Sequence, residues 1–158
     1  MHIILHEPEI PGNTGSVARV CAGTNTALHL SGKLGFSLED KYVRRAGLDY
    51  WPKVSLHVHA DLPSTLEAIG QTRIWVFSAR AKRSFWNIEF EAGDTLLFGG
   101  ESAGLPANIQ AQFPEEQHLV IPTTDAIRSH NLSNAVSIAL YEALRQNGGR
   151  LSWSPSAD

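Results

Sequence analysis

The stretch Ile121-Pro-Thr-Thr-Asp-Ala-Ile-Arg-Ser-His-Asn-Leu-Ser-Asn-Ala-Val-Ser-Ile-Ala-Leu-Tyr-Glu-Ala-Leu-Arg145 runs from a polar loop straight into an amphipathic helix. From Asn131 onward, Leu132, Ala135, Val136, Ala139, Leu140, Ala143 and Leu144 recur at the spacing of one helical face, and Gly148 ends the pattern. The entrance of this helix holds Arg128, Ser129, Asn131, Ser133 and Asn134, more hydrogen-bonding groups than one N-cap uses. Either Asn131 or Ser133 caps the helix while the others face water, or the surplus groups meet a polar or anionic ligand at the helix N-terminus.

Upstream, short apolar runs alternate with helical patterns. His2 to Leu5, Ala27 to Leu30, Val54 to Val58, Ile74 to Phe77, Thr95 to Phe98 and His118 to Ile121 read as strands, the fourth and fifth apolar enough to be buried on both faces. The Pro-rich turn Glu7 to Gly12 is not helical, and a helix follows it with Asn13 or Thr14 as cap. Ser37-Leu-Glu-Asp40 resembles a capping box opening a helix that carries Lys41, Arg44 and Arg45, and Asp61 caps a short helix stopped by Gly70. Ser78 to Glu89 mixes basic and aromatic residues and reads as a loop with a short helix or strand. Such alternation predicts an α/β fold with a mainly parallel sheet and helices on both faces, and ligands then sit off the carboxyl ends of the strands. The loops after Phe77, Phe98 and Ile121 converge there. In the second of these, Gly99, Gly100 and Gly104 let backbone approach a ligand closely, or make a tight turn with Pro106 at the first helical position. The spacing is not that of a dinucleotide or P-loop site.

At 158 residues and 42% apolar, the chain has the size of one domain, assigned to residues 1–149 with a loosely ordered Ser- and Pro-containing tail from Arg150 to Asp158. A net charge of −3 opposes a nonspecific nucleic-acid coat but leaves room for local patches, of which Lys41, Arg44 and Arg45 form one and Arg80, Lys82 and Arg83 another. Each patch reads equally as solvated surface. Lone Cys21 permits no intrachain disulfide, reads as a small buried residue, and makes a cytoplasmic compartment the expectation. Apolar runs are too short for a membrane span. His57 and His59 read as neighbours on one strand face, and no metal is assigned. Tyr50 and Trp51 read as a core plug rather than a base-stacking pair.

Three segments together carry a family resemblance: Asn13-x-Gly15-x-x-x-Arg19, Phe98-Gly-Gly-Glu-Ser-Ala-Gly-Leu-Pro106, and Ile121-Pro-x6-Ser129-His-Asn131-Leu-Ser-Asn134-Ala. They resemble, in order, the motifs of the SPOUT superfamily of knotted RNA 2'-O-ribose methyltransferases. His6-Glu-Pro-Glu-Ile-Pro and Arg44-Arg-Ala-Gly-Leu-Asp-Tyr50 resemble in particular the single-domain bacterial enzymes that methylate the wobble nucleotide, cytidine or modified uridine, of leucine tRNAs.

The resemblance implies a C-terminal trefoil knot, S-adenosylmethionine as methyl donor, a homodimer with active sites at the interface, and the tRNA anticodon stem-loop as partner. It implies a donor pocket made by Phe77, Ser78, Gly99, Glu101, Gly104, Ile121 and Ser129, with Leu132 and Ala135 as apolar wall. It gives Arg19, supplied across the interface, the role of holding the target phosphate and stabilising the developing alkoxide, since a guanidinium is a poor base. Arg128, Asn131 and Ser133 are further catalytic candidates, and Tyr141 acts there or only packs. Lys41, Arg44 and Arg45 are the RNA-binding candidates. Gly100 and His130 depart from the family pattern. The competing functions are methylation of another tRNA or ribosomal RNA position, and a noncatalytic RNA-binding dimer.

Overall fold

Every run read as a strand forms one in the computed structural model, which describes residues 1–38 and 50–148. The strands are β1 (His2–His6), β2 (Ala27–Ser31), β3 (Leu56–His59), β4 (Ile74–Phe77), β5 (Arg83–Ser84), β6 (Thr95–Phe98) and β7 (His118–Val120). The helices are α1 (Pro11–Thr24), α2 (Leu62–Ile69), α3 (Ala107–Gln110) and α4 (Leu132–Gln146). The expected helix carrying Lys41, Arg44 and Arg45, and the tail from Arg150, lie outside the described residues.

All pairings are parallel, in the order β3-β2-β1-β6-β4-β7-β5. Side chains alternate between the faces, as the strand period requires. Ile3, Leu5, Leu28, Leu30, Phe77, Leu96 and Phe98 face one core, which Val17 and Cys21 of α1 and Val136, Ala139 and Leu140 of α4 complete. Ile4, Val76 and Leu97 face the other, under Leu62 of α2. Helices therefore cover both faces, which explains why β4 and β6 read as continuous apolar runs.

The order departs from the chain. β1, β2 and β3 step outward in sequence, but β6 lies between β1 and β4, and β7 lies between β4 and β5. The break in strand order puts a crevice at the carboxyl ends of β4, β6 and β7.

Three local expectations are corrected. The first helix starts at Pro11, inside the stretch read as non-helical; Pro at the first position lacks only an N–H that has no helical partner. Its cap position is Ile10, without a side-chain bond, because Asn13 has tertiary partners instead. Pro106 is the cap of α3 rather than its first residue. Ser78 to Glu89 contains β5 and a 3₁₀ turn at Phe85–Asn87. Asp61 does cap α2, accepting from the Ser64 N–H at 2.9 Å, and Asn131 caps α4.

At the far edge of the sheet, His57 and His59 join His29 and His2. The His29 ring stacks on His57 at 4.8 Å and on His59 at 5.3 Å. Its Nδ1 lies 3.0 Å from His59 Nε2 and its Nε2 3.1 Å from His2 Nδ1. A neutral imidazole has one donor and one acceptor nitrogen, so an uncharged His29 can donate to one of these neighbours and accept from the other. Burial, followed by the facing imidazoles of His2, His57 and His59, pushes its pKa down to about 4.

Candidate active site

β6 ends at Phe98 and the chain then doubles back on itself. Gly104 donates its N–H to the Gly100 carbonyl at 3.0 Å, and Gly104 takes a left-handed φ of 69°. A Cβ on Gly99 would lie 2.2 Å from the backbone of Gly104 and Leu105, and one on Gly100 would lie 2.6 Å from the Glu7 carbonyl oxygen. Neither position has space for a side chain, which accounts for glycine at 100.

This loop is held to the start of α1 from both sides. The Glu101 carboxylate accepts from the Glu9 N–H at 2.7 Å, the Ile10 N–H at 3.2 Å and Asn13 Nδ2 at 2.9 Å. Reciprocally, the Glu9 carboxylate accepts from the Ser102 hydroxyl and from its N–H, and these bonds hold Glu9 below the ordinary carboxylate range. Asn13 then passes the connection on. Its Oδ1 accepts from Asn131 Nδ2 at 3.0 Å, while Asn131 Oδ1 accepts from the N–H groups of Ser133 and Asn134 at the head of α4. One amide, Asn13, thus joins the glycine loop to the cap of the last helix.

Between these loops lies an open cleft of about 650 Å³, within the range of small-molecule sites. Phe77, Ser78, Gly99, Glu101, Gly104, Ile121, Ser129, Leu132 and Ala135 all line it. Phe77 stacks on Phe98 at 4.7 Å to form an aromatic wall. Of the other candidates, Arg128 and Asn131 also line the cleft. Arg128 is exposed and makes no ion pair among the described residues.

The remaining candidates lie off the cleft of their own chain. Ser133 donates its hydroxyl to Asn131 Oδ1 at 2.7 Å. Tyr141 is 52% exposed, further along α4. Arg19 is exposed on α1 with its guanidinium 5.2 Å from the Tyr50 ring centre, and Tyr50 donates its hydroxyl to the Gly15 carbonyl at 2.9 Å. Cys21 is buried and its thiol is pushed up to about 12, as fits a core residue.

Sequence reasoning missed the bridging role of Asn13, read as a cap, and the cleft positions of Arg80, Gln110 and Thr123. The available signal was Asn13 standing in a motif with Gly15 and Arg19, which a cap alone does not demand.

Comparison with known proteins follows the same geometry. The profile of the SpoU rRNA Methylase family matches residues 1–141. A tRNA (cytidine(34)-2'-O)-methyltransferase of Aeromonas hydrophila subsp. hydrophila is 44% identical over 148 residues, 94% of this chain and 95% of that protein. A solved structure described as giving structural insights into the 2-OH methylation of C/U34 on tRNA is 47% identical, with a TM-score of 0.88 over 94% of this chain and 97% of that one. The methyltransferase AviRb of Streptomyces viridochromogenes, solved with AdoMet, shares the fold at a TM-score of 0.83 and 21% identity, over 94% of this chain and 61% of that one.

Proposed function

The chain belongs to the SpoU rRNA Methylase family, and on that premise we propose that it methylates the ribose 2'-hydroxyl of the wobble nucleotide of tRNA, in leucine tRNAs, using S-adenosylmethionine. The observation that carries this reading is the cleft off β4, β6 and β7, where every residue expected to hold the donor meets, in a chain alike over nearly its whole length to a wobble-position methyltransferase.

The cleft suits such a donor. Phe77, Ile121, Leu132 and Ala135 offer an apolar wall, and the glycine loop offers backbone polar groups. When bound, S-adenosylmethionine supplies an electrophilic methyl on a positively charged sulfur. The protein's part is alignment and electrostatics. Glu101 accepts from three donors at the start of α1, which supports a role in fixing the loop. Arg128, permanently charged and without an ion pair among the described residues, lines the cleft, which supports a role in gripping a phosphate or steadying charge growing on the acceptor oxygen.

Arg19 lies off the cleft of its own chain, which supports its acting on the cleft of a second copy. Arg19 on α1 and the exposed Ile138 and Tyr141 on the adjoining α4 support those helices as the face of a homodimer. The placement of β6 and β7 between earlier strands supports a chain threaded as a trefoil knot. Acting on tRNA, the enzyme works in the cytoplasm.

The test is to incubate the protein with S-adenosylmethionine and tRNA from cells lacking wobble ribose methylation, then map 2'-O-methyl groups. Methylation at the wobble position of leucine tRNAs is expected. Methylation elsewhere replaces the substrate assignment, and none at all leaves a noncatalytic binding protein.

A further inference from the structure

The basic and aromatic segment between β4 and the 3₁₀ turn starts at the cleft with Ser78 and Arg80 and runs away from it. Its cations have separate fates. Lys82 Nζ pairs with Glu115 at 2.9 Å, and Arg83 Nη1 donates to the Glu116 carbonyl at 2.8 Å, so both are committed to the fold. Arg80 is exposed, and among the described residues its backbone N–H is bonded to Ser78 Oγ at 3.2 Å while its guanidinium makes no hydrogen bond or ion pair. Its side chain lines the cleft, as does that of Arg128 from the loop after β7.

Six residues on, Trp86 is 66% exposed, although its neighbour Phe85 is only 2% exposed. Phe85 anchors the 3₁₀ turn in the core, and Ser84 Oγ accepts from the Trp86 N–H at 3.2 Å, so the outward ring stands on a fixed support. The rings form a continuous series from the cleft wall outward: Phe77 to Phe85 at 6.3 Å, then Phe85 to Trp86 at 5.9 Å. The other exposed residues of this stretch of chain are Lys82, Arg83, Asn87 and Glu89, all polar. A protein interface needs a contiguous apolar centre, which these residues do not provide. A single exposed ring, six residues from an arginine that has no ion pair among the described residues, has instead the composition of a stacking platform for single-stranded nucleic acid.

We propose that this segment reads the RNA flanking the target nucleotide: Arg80 holds a backbone phosphate at the cleft mouth, and Trp86 stacks on a neighbouring base. The inference rests on the preceding reading that the substrate is RNA.

The test uses the full chain and a synthetic tRNA anticodon stem-loop, with affinity measured by fluorescence anisotropy over a series of salt concentrations. Trp86→Ala weakens binding about 5- to 100-fold with an unchanged salt slope, because stacking releases no counterions. Trp86→Phe restores most of the loss. Arg80→Ala lowers the salt slope by about 0.7, the value for one phosphate of a single strand. Calorimetric affinity for S-adenosylmethionine stays at the wild-type value in both Trp86 variants.

Wild-type RNA affinity in a folded Trp86→Ala protein overturns the proposal, as does a change in oligomeric state by light scattering, which makes the ring a protein contact. An unchanged salt slope in Arg80→Ala overturns the phosphate assignment. If the wild-type protein binds no RNA, the substrate reading falls with it, whereas a wild type that binds and methylates while the variants match it sinks this inference alone.

Discussion

The two halves of the sheet are built on different terms. On the β3-β2-β1 side the strands lie in chain order and one face is filled by hydrogen-bonded imidazoles. On the β6-β4-β7-β5 side chain order is broken, the strand ends open into a cleft, and the walls are tied by bonds such as Glu101 to Asn13 and Asn131 to Asn13, spanning 88 and 118 residues. Local order yields a stable edge. The non-local side is where loops far apart in sequence are brought together, and there chemistry has room. Perturbing the cleft loops, or the α1 residues that serve a cleft, should therefore damage function, whereas perturbing the histidine edge should alter only stability.

The largest effect is expected at Arg19. Arg19→Ala should lower methyl transfer about 10³-fold or more while donor affinity by calorimetry stays unchanged, since a missing charge contact in the transition state acts on rate. Unchanged turnover would remove Arg19 from the mechanism.

Next is Gly99→Ala. Its methyl would enter the backbone of Gly104 and Leu105, so the loop must shift; about 1–3 kcal/mol of stability and most donor binding should be lost. Gly93→Ala, with nothing within 4 Å, is the control and should leave donor affinity intact. Equal behaviour of the two variants in chemical denaturation and calorimetry would contradict the crossing at Gly99.

Asn13→Asp sharpens the comparison further. It sets a carboxylate against that of Glu101, where an amide now donates at 2.9 Å. About 2 kcal/mol should be lost at pH 8 and largely regained near pH 5, where the pair can share a proton. A pH-independent loss would mean the bridge is not electrostatically coupled.

The histidine edge should respond to acid without touching the donor site. His29 is held down to about 4 against an ordinary 6.5, so between those values the unfolded chain takes up a proton that the folded one refuses. Stability present above pH 6.5 is therefore lost as pH falls toward 4, by roughly 2–3 kcal/mol in total. His29→Leu should flatten this dependence in urea unfolding, with donor affinity at pH 7.5 unchanged.

These contrasts also explain what the sequence made legible. The strands could be read because burial on both faces leaves near-continuous apolar runs, and α2 and α4 because Asp61, Asn131 and the helical spacing are local signals. The strand order could not be read, because pairing β1 with β6 joins residues such as His2 and Thr95 that no periodicity links. Asn13 was misread for a related reason: an Asn near a helix start is ordinarily a cap, and only the folded chain supplies Glu101 and Asn131 as better partners. The donor-cleft residues came from motif resemblance. Arg80 and Trp86 were visible as a basic and aromatic mixture, but the folded chain was needed to separate Arg80, whose guanidinium has no ion pair among the described residues, from Lys82 and Arg83, which bond to Glu115 and Glu116.

The most direct measurement is diffraction from crystals grown with S-adenosylhomocysteine, the donor's product. The account predicts density in the cleft between the glycine loop, Ile121 and Leu132, beside Phe77. Density confined to the histidine face, or to any site away from the β4, β6 and β7 carboxyl ends, would contradict it.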